Sequence, residues 1–231
     1  MFIPYKDDNP RILVPYVTWT ILGINILVFL YQILLTQESY FTFLINYSAI
    51  PNNIVGDGSL ALKNWGYSTW VHPYITTVSS LFLHGSFMHL LGNMVFLYIF
   101  ADNVESILGH KKFILYYLLC GVIATLTQVW ISGDSVVPIV GASGAISGIM
   151  AGYMLKYPSA KVHTLIFIFP VILPAVVVVG FWFATQIING IGDLYSTGDG
   201  GVAWFSHIGG FVAGGLLMLV ISRGKFYWLK R

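Results

Sequence analysis

The chain has 231 residues, of which 57% are hydrophobic and only 9% charged. Soluble domains carry about a quarter charged residues, so a soluble enzyme is excluded and the chain reads as a polytopic membrane protein. A net charge of +2 gives no electrostatic footprint for a nucleic-acid partner, and a lone cysteine, Cys120, leaves no intrachain disulfide and reads as a small buried apolar group.

Six apolar segments follow one another, and they predict an all-α bundle in a single domain covering residues 1–231. The first runs from Pro15 to Leu35, about 21 residues and long enough to span. It ends in Leu34, Leu35, Thr36, Gln37 and Glu38, without small residues at a cleavage position, so it reads as a span and not as a leader. A long first loop, from Thr36 to Val78, carries Tyr40, Tyr47, Trp65, Tyr67, Trp70 and Tyr74, aromatics suited to a headgroup interface.

The second segment covers Phe87 to Ala101, the third Phe113 to Ile131 and the fourth Gly141 to Leu155. Pro170 and Pro174 oppose a helix starting at Val162, so the fifth begins near Pro174 and ends at Asn189. The sixth runs from Gly201 to Ile221. In a six-span arrangement Lys6, Arg11, Lys111, Lys112, Lys156, Lys161, Arg223, Lys225, Lys230 and Arg231 share one side, and only Lys63 falls on the other. The positive-inside rule then puts both termini in the cytoplasm and the long first loop outside, as in a bacterial inner membrane.

Polar residues inside spans are costly and mark function. The fourth segment opens Gly141, Ala142, Ser143, Gly144; the sixth contains Ser206, His207, Ile208, Gly209, Gly210; the second opens His84, Gly85, Ser86, Phe87, Met88, His89, with Asn93 one turn on. In the six-span arrangement Ser143, His207 and His89 all fall in the outer half of the bilayer. Gly144, Gly148 and Gly152 recur every four residues, and His207, Gly210 and Gly214 form one stripe. Small residues at that spacing let two helices approach closely in lipid, bringing Ser143 beside His207 as nucleophile and base. His89 and Asn93 project from one helix face and, with the Ser143 N–H, suit an oxyanion hole. His84, five residues before His89, lies about 140° around a helix and is expected to face elsewhere as a structural group. Glu105 reads as an anchor at the inner helix end, Gln128 as a packing group, and His72, His110 and His163 as solvated.

These residues resemble the rhomboid family of intramembrane proteases. The likeness rests on Gly141-Ala142-Ser143-Gly144, on His84, His89 and Asn93, and on His207 with Gly210 and Gly214; a lesser similarity runs from Val104 to Gly109. The resemblance implies a rhomboid-like fold and a Ser–His dyad that uses no metal or cofactor. It also implies single-pass membrane proteins as substrates, cut near the outer face, and a gate around Phe181 to Gly200. Two features depart from the family pattern: Ser147 stands where many members place an aromatic beneath the histidine, and Trp65 is followed by Gly66 where some carry a Trp-Arg pair.

The rival readings are weaker. Haem ligation by facing histidines leaves Ser143 unexplained, no His-Glu-x-x-His pattern supports a metalloprotease, and a transporter built from repeats would need two similar halves. A catalytically inactive relative that binds membrane helices is the strongest alternative, although the chain keeps both serine and histidine. Oligomeric state is left open.

Overall fold

The computed structural model describes residues 2–56, 69–195 and 201–222. Lys63, Trp65, Tyr67, Gly200, Arg223, Lys225, Lys230 and Arg231 therefore lie outside the described residues. Within them the chain is mostly helical. Helix α1 spans Tyr16–Leu34, α2 Gln37–Tyr47, α3 Pro51–Val55, α4 Pro73–Ser79, α5 Phe87–Leu108, α6 His110–Ile131, α7 Ser143–Lys156, α8 Ala175–Leu194 and α9 Trp204–Ile221. Five of these, α1, α5, α6, α8 and α9, are long and apolar enough to cross a membrane. The chain is a multi-pass membrane protein.

Helix α7 is the expected fourth span, and it is short. Its 14 residues rise about 21 Å, against an apolar bilayer core of about 30 Å. Every residue from Gly144 to Tyr153 is buried, because α6 and α9 enclose it. The glycines explain how. A Cβ on Gly210 would collide with the Gly144 carbonyl, and one on Gly214 with the Gly148 backbone, so α7 and α9 touch main chain to main chain. Gly144 and Gly148 are equally tight against α6, where a Cβ would meet Ala124 at 2.5 Å and Cys120 Sγ at 2.6 Å; at Gly152 it would meet the Tyr116 hydroxyl at 2.6 Å. That hydroxyl lies 2.6 Å from the Gly148 carbonyl and 2.9 Å from that of Gly214, joining α6, α7 and α9 at one point.

Helix α5 does not stop at Ala101 but continues to Leu108. The polar residues that suggested an end are buried and partnered there. Asp102 pairs with Arg11 at 2.7 Å, and the Asn103 amide donates to Asp102 and Asp7. Glu105, expected as an anchor at the inner helix end, is fully buried and accepts from the backbone N–H groups of Val17 and Thr18 at 3.0 and 2.8 Å. It thereby caps α1, whose own N-cap residue, Pro15, offers no side chain. Gly109, at φ 74°, turns the chain sharply enough that α6 starts at His110, three residues before the expected Phe113.

A three-stranded antiparallel sheet adds to the helices. Strands β1 (Phe2–Asp7), β2 (Lys161–Ile166) and β3 (Phe169–Pro174) lie in that order. The prolines that oppose a helix at 162–174 leave it extended, and a tight turn at Phe167 and Ile168 closes the hairpin. The Phe2 ring packs on Phe181 of α8, with centroids 4.8 Å apart, and β1 rests on α5. His163 is therefore not free: its Nε2 lies 2.9 Å from Asp8 Oδ1, and His110 sits 2.6 Å from Glu105.

Candidate active site

Three helix starts converge on one cavity. Ser143 is the first residue of α7, His89 the third of α5 and His207 the fourth of α9. Each lies within the first turn of its helix, so the three stand at one level without any long side chain reaching up or down.

Each start is held by a different device. Helix α5 is capped locally, with Ser86 Oγ accepting from the His89 N–H at 3.1 Å. Ala203 gives α9 no side-chain cap; instead Gln128 of α6 reaches across, its Oε1 accepting from the N–H groups of Phe205 and Ser206 at 3.1 and 3.2 Å. Gln128 is thus the group that fixes the helix carrying His207, a larger part than the packing role expected of it. Ahead of α7, Gly141 adopts φ 118°, and a Cβ there would sit 2.7 Å from His89 Nε2 and 3.5 Å from Asn93 Nδ2. Only glycine both takes that backbone conformation and lets the His89 ring and Asn93 amide close on the segment leading into Ser143.

The decisive distance is short. Ser143 Oγ and His207 Nε2 are 2.8 Å apart, hydrogen-bond contact between residues on separate helices. They share a cavity of about 890 Å³ with His89, Asn93, Met88 and Trp182. The first N–H groups of α7 have no partner within the helix, so the Ser143 end presents backbone donors to this space.

Two expectations change here. His84 does not face away from the site: it precedes the helix, which begins at Phe87, so helical spacing does not apply. Its Nε2 lies 2.9 Å from Asn93 Nδ2, and its backbone is gripped in both directions by Gln32 of α1. Ser147, which stands where many rhomboid-like chains place an aromatic beneath the histidine, does not take that ring's place by bonding His207, since its hydroxyl donates to the Ser143 carbonyl at 2.6 Å. The imidazole instead lies beside Trp182 of α8, with centroids 5.8 Å apart, and meets Trp204 edge-on at 6.2 Å. A further partner was not foreseen: Gln186 of α8 places Oε1 2.8 Å from His207 Nδ1. One glutamine in an apolar helix is a weak signal on its own, and only the fold brings it to the histidine.

The profile described as the Rhomboid domain matches residues 71–224, about two thirds of the chain. The chain belongs to the rhomboid family. Rhomboid protein 1, mitochondrial, of Saccharomyces cerevisiae is 29% identical over 95% of this chain, which spans 56% of the yeast protein's length. Presenilin-associated rhomboid-like protein A, mitochondrial, of Danio rerio is 36% identical over 36% of the chain and 22% of its own length. The putative rhomboid protease YdcA of Bacillus subtilis is 38% identical over 33% of the chain and 38% of its own length. The rhomboid match includes α5, α7 and α9, the three helices that meet at the cavity.

Proposed function

We propose that this rhomboid is an intramembrane serine endopeptidase that cuts single-pass transmembrane proteins near the outer face of the membrane. The observation that carries the reading is the 2.8 Å approach of Ser143 Oγ to His207 Nε2. His207 takes the hydroxyl proton as Ser143 Oγ attacks the carbonyl carbon of the scissile bond. The oxyanion then forms beside His89, Asn93 and the Ser143 N–H, donors already held in place before reaction. His207 returns the proton to the leaving amine, and water, activated by the same imidazole, releases the acyl group from Ser143.

A helical peptide bond is enclosed by its own hydrogen bonds, so the substrate helix must unwind to be attacked. The cavity's position at the helix starts supports a cut near one membrane face. The partners in this reading are membrane helices and the bilayer, with no nucleic acid. Both termini on the inner side, six spans and a bacterial inner membrane belong to the same proposal. Lys6, Arg11, Lys111, Lys112, Lys156 and Lys161 support the orientation, while the mitochondrial names of two relatives make localisation of the tagged chain the deciding measurement.

The test is co-expression with a library of tagged single-pass helices, comparing the native chain with Ser143→Ala. Cleavage lost in Ser143→Ala, together with fluorophosphonate labelling of the native chain alone, is the expected result. Helix binding without cleavage or labelling would make the chain an inactive binder.

A further inference from the structure

The His207 imidazole is held at both nitrogens. Nε2 faces Ser143 Oγ, and Nδ1 faces Gln186 Oε1, each at 2.8 Å. The far end of the Gln186 amide fixes its orientation: Nε2 donates to the Trp182 carbonyl at 3.1 Å and to Thr185 Oγ1 at 3.0 Å. Thr185 commits its own hydroxyl proton to the Trp182 carbonyl at 2.6 Å, which leaves its oxygen free to accept. With its NH₂ group so engaged, Gln186 turns its oxygen to His207. An oxygen at Nδ1 calls for an N–H there, and a neutral imidazole protonated at Nδ1 carries its lone pair at Nε2. A base that removes the Ser143 proton needs that tautomer.

We propose that Gln186 is the positioning residue of the base, selecting the His207 tautomer whose Nε2 can accept the Ser143 proton and fixing the plane of the ring. The inference rests on the catalytic roles proposed above for Ser143 and His207. It also accounts for a histidine without the aromatic that many rhomboids place at the position of Ser147, whose hydroxyl is spent on the Ser143 carbonyl. When proton transfer makes His207 an imidazolium, the Gln186 oxygen stays bonded to the Nδ1–H and stabilises the charge. The same contact ties the base to α8. Phe183, Gln186 and Gly190 form one stripe at i, i+3 and i+7. Phe183 stacks on Phe211 with centroids 3.9 Å apart, and Gly190 leaves room for Trp204, which a Cβ would meet at 3.3 Å. Movement of α8 away from α9 would therefore take the acceptor from Nδ1.

The experiment uses the full chain in lipid nanodiscs. Gln186→Leu removes the acceptor in a similar volume, and Gln186→Glu keeps an oxygen there. Expected are a fall in kcat of about 10–100-fold for Gln186→Leu, the range seen when the hydrogen-bond partner that orients a metal-bound histidine is lost, with KM within about twofold, and recovery of most of that rate in Gln186→Glu. Fluorophosphonate labelling should slow in parallel. Wild-type kcat in Gln186→Leu, or an equal loss in both variants at unchanged unfolding midpoints, would overturn the proposal. A second measurement leaves Gln186 in place: ¹⁵N ring resonances of His207, assigned by their loss in His207→Phe, report the tautomer in Ser143→Ala. A dominant Nδ1–H form supports the assignment, and a dominant Nε2–H form overturns it. Because this reading is taken in a chain that cannot cleave, it separates failure of the Gln186 role from failure of the protease reading.

Discussion

The carboxylate of Glu105 accepts two hydrogen bonds from Thr18, one from the backbone N–H at 2.8 Å and one from the hydroxyl at 2.6 Å. With the bond from Val17, it satisfies donors at the start of α1 and places negative charge at the positive end of that helix. Glu105→Ala should therefore leave buried N–H groups of α1 without partners, at a cost on the order of 3 kcal/mol. A lowered thermal unfolding midpoint in detergent is the expected reading; an unchanged midpoint would mean that the cap contributes nothing.

His89 and Asn93 are the proposed oxyanion donors, and loss of either should slow the reaction without weakening binding. His89→Ala and Asn93→Ala should each lower turnover by about 10²–10³, with little change in KM, because the bonds strengthen only as the oxyanion forms. Gln32→Ala, which releases the backbone of His84 and through it Asn93, should give a smaller loss of the same kind. Steady-state cleavage of one transmembrane peptide by the purified variants would rank the three; native rates in His89→Ala and Asn93→Ala would remove the oxyanion assignment.

Gly210→Ala tests the contact between α7 and α9. The added methyl meets the Gly144 main chain, which cannot swing aside as a side chain would. Overpacking of this kind costs about 1–3 kcal/mol, and the helices must part to relieve it. Both the unfolding midpoint and the fluorophosphonate labelling rate should fall, since parting the helices lengthens the Ser143–His207 contact. Gly180→Ala, where a Cβ would meet open space, is the control and should change neither.

Asp7 sits outside the spanning helices, where burial pushes its carboxyl up to about 6 against the opposing Tyr153 hydrogen bond. The folded chain thus holds this proton more tightly than the unfolded chain, whose value is 3.8. The resulting stability is present below about pH 4 and is lost as pH rises through about 6. Asp7→Asn should flatten that decline and raise the unfolding midpoint at pH 7.5, measured by thermal melts between pH 4.5 and 7.5. A wild-type slope in Asp7→Asn would show that another group carries it.

The residues that were legible in the sequence are those whose surroundings are local. Ser143 and His207 stand out because a glycine-flanked polar group in an apolar run has few other uses, and the stripes at Gly144, Gly148, Gly210 and Gly214 already imply a close pair of helices. What stayed hidden depends on partners distant along the chain. Gln186 meets His207 across 21 positions, Gln128 caps α9 across 77, and Glu105 caps α1 across 87. Helix ends were misjudged for the same reason. Asp102, Asn103 and Glu105 read as a boundary until Arg11, Asp7 and Thr18 are seen to receive them. The sheet was missed because β1 is short, and because the apolar run at 161–174 gives extended backbone only a negative mark through its prolines.

Helix α7 lies almost wholly inside protein, so lipids do not set its height. In a thicker or thinner membrane the outer helices α1 and α8 can tilt to match, while the floor on which Ser143 stands is fixed by the backbone of α9 and by Ala124, Cys120 and Tyr116 of α6. A Ser143–His207 pair mounted in this way keeps its register when the surrounding bilayer changes thickness, and only the approach to the cavity from the lipid side feels the difference.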